Sequence, residues 1–166
     1  NAGVIFRVED PGTSVTNYKG YYAGFSGSTL YFGKQNGATW TELGRRSITA
    51  SAGILYNLKI EASGSTIKIY FNDAVNPNLT RTDYTYSSGA VGLRVYNTQA
   101  YFDDVSISSM DEPMTFSDNF NDGNANGWTP SKGTWNVSNN QYNVNSGVGN
   151  RTAADNTNFG DLTYEA

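Results

Sequence analysis

The stretch GAVGLRVYNTQAYFDDVSI, residues 89–107, decides the fold. Val91, Leu93 and Val95 fall on one side of its first half, with Arg94 and Tyr96 on the other. That period of two belongs to a half-buried strand. Asn97–Gln99 reads as a tight polar turn, and Tyr101–Ile107 as the returning strand, with Asp103 and Asp104 ahead of the alternating Val105 and Ile107. The pair reads as a hairpin. It offers one apolar face to a core and one face on which a guanidinium stands beside an aromatic ring.

Working outward, the same alternation recurs. In GVIFRVE, residues 3–9, Val4, Phe6 and Val8 alternate with Ile5, Arg7 and Glu9, and the Asp10-Pro11-Gly12-Thr13 run that follows is a turn by its chemistry. Aromatic-rich strands are expected at 17–25 and 29–34, then at 39–43 around Trp40 and briefly near 46–49. The clearest hairpin is 54–62 against 65–71 about Ser63-Gly64, with Leu58, Ile60, Ile67, Ile69 and Phe71 as the inward set. An edge or connecting strand at 79–85, a short strand at 115–120, a hairpin of 133–137 with 141–145 and a last strand at 159–166 complete the reading. No window of ten residues has helical periodicity. The fold class is therefore all-β, a two-sheet antiparallel β-sandwich.

The composition excludes several functions. With 166 residues the chain is read as a single domain large enough for a real core. Eleven Lys and Arg against fifteen Asp and Glu, without a basic cluster, argue against nucleic acid as a partner. No apolar run approaches the roughly 20 residues of a membrane helix, so no membrane partner is expected. Cysteine and histidine are both absent, which removes disulfides, thiolate metal sites, thiol catalysis and the Ser-His-Asp route. The start at Asn1, without Met or a signal segment, reads as excision from something larger. Sequons at Asn78, Asn136 and Asn150 are what an Asn-rich chain contains by chance.

Several strings together resemble one known family. FSDNFNDGNANGW, GTWNVSNNQY and FGDLTYEA, then NAGVIFRVEDP, YYAGF, LYFGK, YNLKIEASGSTIKIYFND and GAVGLRVYNTQAYFDDVSI look like its successive strands. That family is the concanavalin A-like (laminin-G-like, jelly-roll) β-sandwich of lectins and glucanases that is appended to bacterial glycoside hydrolases and polysaccharide lyases. Within it the chain most resembles carbohydrate-binding module family 66, which includes a levanase module that binds terminal fructose. The order departs from the family: 115–166 resembles its first strands and 1–110 its later ones, with 111–114 as a linker. A circular permutation, a junction between tandem modules and an unusual order of the chain all account for this. Where the parts join, 159–166 is expected to pair with 3–9, bringing Asn1 and Ala166 close together.

The resemblance implies a secreted, extracellular and non-catalytic module. It would hold an attached catalytic domain on a polysaccharide, with the terminal sugar of a fructan such as levan as the first ligand and arabinose-, galactose- or uronate-containing polymers as alternatives. The candidate residues are Arg7 and Arg94 for paired sugar hydroxyls, Glu9 as an acceptor, and Tyr18, Tyr21, Tyr96 and Trp40 for stacking on a sugar ring. The plain alternative is that the two arginines pair with carboxylates on an ordinary sheet face. Tyr22, Phe25, Tyr31, Phe32, Trp128 and Trp135 are read as core. Asp104, Asp118 and Asp122 suit a structural Ca²⁺ tying the terminal strands, or Asx-type turn capping. A glycoside hydrolase of the same sandwich class would need two carboxylates across the scissile bond. No Glu-x-Asp-x-x-Glu string supplies them, so an enzyme is the weaker reading beside a binding module or a laminin-G-like adhesion domain.

Overall fold

The computed structural model describes residues 1–10, 18–72, 74–110 and 115–166. The expected linker at 111–114 and the turn through residues 11–13 lie outside the described residues. Numbered along the chain, the strands are β1 (Ala2–Asp10), β2 (Tyr18–Ser26), β3 (Thr29–Gly37), β4 (Thr39–Ser47), β5 (Leu58–Ser63), β6 (Thr66–Phe71), β7 (Leu79–Thr82) and β8 (Ala90–Val95). They continue with β9 (Thr98–Phe102), β10 (Val105–Ser109), β11 (Thr115–Asp118), β12 (Trp128–Lys132), β13 (Trp135–Ser138), β14 (Gln141–Gly147), β15 (Asn150–Ala154) and β16 (Leu162–Glu165). Among the described residues there is no helix.

Seven strands form one sheet in the order β12-β15-β8-β1-β2-β3-β4, and six form a second in the order β11-β10-β16-β5-β6-β7. A small third sheet, β13-β14-β9, supplements them. Strands from both parts of the chain share each sheet: β15 pairs with β8, β16 with β5 and β10, and β14 with β9. The sheets close on one continuous apolar core, with Val4, Phe6, Leu30, Phe32, Leu93 and Val95 from the first and Leu58, Ile60, Ile67, Ile69, Ile107 and Tyr164 from the second. The Tyr164 hydroxyl crosses that core to donate to the Gly92 carbonyl at 3.1 Å. The eight side chains expected inside, Val4, Phe6, Leu58, Ile60, Ile67, Ile69, Leu93 and Val95, are all buried. This is the antiparallel β-sandwich read from the alternation.

Three local readings need correction. Residues 89–107 are not a hairpin: β8, β9 and β10 lie in three different sheets. Asn97 (φ 54°) and Asp104 (φ 48°) both take the left-handed conformation and swing the chain from one sheet to the next. Secondly, 159–166 does not pair with β1. β16 lies between β10 and β5, and β1 between β8 and β2, so the two strands belong to different sheets, although Asn1 and Ala166 line one cleft.

The third correction concerns the alternation in β1. The register against both neighbours shifts beyond Phe6, and Arg7 at φ 48° sits in the bulge. The extra residue inverts the parity. Val8 joins Ile5, Tyr18 and Tyr22 on the outer side of the seven-stranded sheet, while the Arg7 side chain turns inward.

Candidate functional site

The outer face of the seven-stranded sheet collects arginines and aromatic rings. Arg94 on β8 stands directly opposite Arg151 on β15, and residues so paired project to the same side. The Arg94 guanidinium lies over the Tyr22 ring at 4.8 Å and over the Tyr96 ring at 5.3 Å. Arg151 lies over the Tyr18 ring at 5.2 Å. Trp40 meets Tyr22 edge-on at 6.0 Å and is 41% exposed. Glycines make this packing possible. A Cβ at Gly24 would run into the Tyr22 hydroxyl, and one at Gly33 into the Trp40 indole, so both rings lie close against bare backbone.

Burial shapes the chemistry of the face. It pushes the Tyr18 hydroxyl up to about 12 and the Tyr22 hydroxyl further, although the positive charge of Arg94 pulls both back. It also lowers the Arg151 guanidinium, and the like charge of Arg94 adds to that effect. Arg94 is 9% exposed and donates from Nη1 to the Asn1 side chain at 3.3 Å. Its Nε and the Tyr18 hydroxyl are both buried without a hydrogen-bond partner. An unmatched buried donor is costly.

The structure divides the expected site residues into two groups. Arg94, Tyr96, Tyr18 and Trp40 come together on the outer face. Arg7 and Tyr21 do not join them. Arg7 is 1% exposed and is spent on internal partners: the carbonyls of Gly160 (2.9 Å), Gly64 (2.7 Å) and Tyr86 (3.3 Å), and the Asp161 carboxylate (3.1 Å). It is a clamp between the sheets, placed there by the bulge. Tyr21 is in the core, donating to Asp83 Oδ1 at 2.7 Å and packed edge-on against Tyr86 at 5.3 Å. Glu9 is exposed past the bulge, where its charge adds to burial in raising the Tyr86 hydroxyl.

Tyr22 and Arg151 are the residues that the alternation did not reveal. Tyr22 reads as core because it is a large ring in an apolar run, yet its register partner Ile5 faces outward. Arg151 lies in NRTAA, where Arg151 and Ala153 alternate with Asn150, Thr152 and Ala154. That is a period of two without bulky apolar residues, and it was the available signal.

Asp104, Asp118 and Asp122 do line one shallow pocket, with Ser106, Ser117 and Asn119. Asp118, however, accepts from the Phe120 N–H at 2.8 Å and from the Trp128 indole at 3.0 Å, and Asp122 accepts from the Asn124 N–H at 3.1 Å. Among the described residues no three acidic side chains are grouped to hold a metal ion. Asp118 and Asp122 thus organise turns beside this pocket. A larger cleft of about 1020 Å³ opens at one end of the sandwich, between residues 50–58 and 97–104, with Ile54, Leu55 and Tyr101 exposed at its edge.

No family model matches the chain, and no solved structure does. A levanase from Bacillus sp. (strain L7) is 28% identical over 65 residues, which is 39% of this chain and 7% of that protein. The chain thus matches a small part of the length of that relative.

Proposed function

We propose that the chain is a non-catalytic carbohydrate-binding module that works outside the cell and holds an attached polysaccharide-degrading enzyme on its substrate. A fructan such as levan is its first ligand. The observation that carries this reading is the outer face itself, where Arg94 is clamped between Tyr22 and Tyr96 beside an exposed Trp40. A guanidinium held flat by aromatic rings presents fixed donors to sugar hydroxyls, and exposed ring faces take the apolar side of a sugar. The partial likeness to a levanase supports the choice of polymer. Glu42, the carboxylate near Trp40 on β4, is held by both oxygens on Arg45 at 2.7 and 2.8 Å, which leaves it unsuited to acid–base work.

A single hexose of about 12 heavy atoms at ~0.3 kcal/mol each gives roughly −4 kcal/mol, a Kd near 1 mM. Stronger retention on polymer would come from avidity. The test is affinity electrophoresis through levan. Wild type is retarded, and Arg94→Ala and Trp40→Ala run freely at a temperature where circular dichroism shows both variants folded. If both variants are retarded like wild type, the outer face is not the site.

A further inference from the structure

The cleft at the end of the sandwich lies apart from the arginine face. Its volume of about 1020 Å³ is at the large end for a small-molecule site. It opens between residues 50–58, which lead into β5, and residues 97–104, which include the edge strand β9. The first wall is pinned rather than frayed. The Ile48 N–H donates to the Ser28 carbonyl at 2.9 Å and the Ser51 N–H to the Tyr56 hydroxyl at 3.0 Å. The Tyr56 ring stacks on Phe71 at 5.1 Å and meets Phe25 edge-on at 5.9 Å. This anchoring holds Ile54 and Leu55 at the mouth, 60% and 64% exposed. On the opposite wall Tyr101 is 48% exposed, its hydroxyl fixed by the Gln99 amide at 2.8 Å. Single exposed apolar residues need no explanation, but two aliphatic side chains and two tyrosines around one cleft mark a binding surface.

The polar lining sets the chemistry of the ligand. Asn57, Asn72, Asn97 and Gln141 line the cleft, and among the described residues none of their four carboxamides is hydrogen-bonded. Each keeps donors and an acceptor for a ligand. Among the described residues the charged side chains of the lining are Asp103 and Asp104, so an anion is repelled and a neutral ligand fits. A sugar that carries only hydroxyls would leave Ile54 and Leu55 uncovered. An acetamido sugar meets all three features. Its amide N–H and C=O pair with a side-chain carboxamide, its methyl covers aliphatic surface, and its ring stacks on tyrosine.

We propose that the end cleft is a second saccharide site that takes a neutral, N-acetylated amino-sugar chain, with an acetamido methyl against Leu55 and a sugar ring on Tyr101. It goes beyond the levan reading and does not depend on the outer face. The test is titration of the isotope-labelled full chain with the β-1,4-linked trisaccharide of N-acetylglucosamine. Cellotriose, with hydroxyls where the acetamido groups stand, is the control. The acetylated trisaccharide should shift the Leu55, Tyr56 and Tyr101 resonances saturably, and cellotriose should bind about fivefold more weakly or less well still. Leu55→Asn and Tyr101→Ala should each weaken the acetylated trisaccharide by about threefold or more and leave levan retention unchanged, since both side chains are exposed and lie off the outer face. No cleft shifts up to about 10 mM trisaccharide, ten times the ~1 mM expected for one sugar unit, would overturn the inference. So would cellotriose binding as tightly, or both variants binding like wild type. Levan shifts at Arg94 and Tyr96 read the outer face separately: their absence beside an intact cleft titration refutes that face and leaves the cleft standing.

Discussion

Replacing Arg7 by Ala should unfold the sandwich more readily and leave sugar binding intact. The side chain sits in the β1 bulge and reaches Gly64 at the β5–β6 turn, Gly160 and Asp161 just before β16, and Tyr86 ahead of β8. One guanidinium therefore ties the seven-stranded sheet to the end of the six-stranded one. Removing one partner of a buried ion pair costs about 3–5 kcal/mol. The lower end applies here, because Asp161 keeps the Gly64 N–H at 2.7 Å and the Ser63 hydroxyl at 3.1 Å. For a domain of this size, about 3 kcal/mol corresponds to a fall in Tm of roughly 6–12 °C. Arg7→Lys should recover a minority of the loss, since an ammonium cannot serve four acceptors in the plane of a fork. Asp161→Asn should be destabilising too, and the double variant should fall short of the sum because the two residues share one interaction. Thermal unfolding by circular dichroism reads the stability, and levan electrophoresis at a temperature where all variants are folded reads the binding. An Arg7→Ala protein that melts within about 2 °C of wild type, or that stays stable and loses levan, would refute the clamp.

Three further outcomes follow from the same geometry. Burial alone would raise the Asp83 carboxyl, but hydrogen bonds from Lys34, Thr85 and Tyr21 hold it well below the usual range. Its contribution to stability is therefore complete above about pH 4 and lost as pH falls toward the lowered folded value; Asp83→Asn should flatten the acid limb of a Tm–pH curve, and an unchanged limb counts against the network. Burial pushes Tyr18 and Tyr21 up to about 12, so their contribution is complete below about pH 10 and disappears as pH rises toward 12. Tyrosinate absorbance for these rings should thus appear together with unfolding, and early reversible ionisation of all tyrosines in folded protein would contradict their burial. Excess chelator should move Tm by less than about 1 °C, because Asp118 and Asp122 already accept from backbone and indole N–H groups; a larger fall would show that an ion stabilises the folded state.

Much of the fold is legible wherever alternation runs undisturbed. The β5–β6 hairpin pairs Ile60 with Ile69 and Ala62 with Ile67 across Ser63-Gly64, as the pattern requires, and β13 pairs with β14 about Asn139 and Asn140. Two of the three corrected readings share one cause, single residues in the left-handed conformation; the third, the placement of 159–166 beside β1, rested on the order of strands in the resemblance. Arg7 carries no signal that it occupies a bulge, since a non-glycine at positive φ is held there by tertiary contacts, here its four acceptors. One extra residue moved Arg7 from the expected ligand face into the interior and turned Val8 outward. Asn97 and Asp104 are turn formers by type, but type does not say whether the chain folds back or crosses to another sheet. The outer face was legible in part. Arg94 and Tyr96 follow from the parity of β8, whereas Tyr22 and Arg151 become neighbours of Arg94 through pairings between strands distant in the chain.

The most direct test is to titrate the isotope-labelled protein with a levan oligosaccharide and follow its amide and side-chain resonances. The account predicts saturable shifts, with a Kd near 1 mM, concentrated at Tyr22, Trp40, Arg94 and Tyr96 on the outer face of the seven-stranded sheet. Shifts confined to the end cleft, at Leu55, Tyr56, Gln99 and Tyr101, or no shifts at saturating sugar, would contradict it.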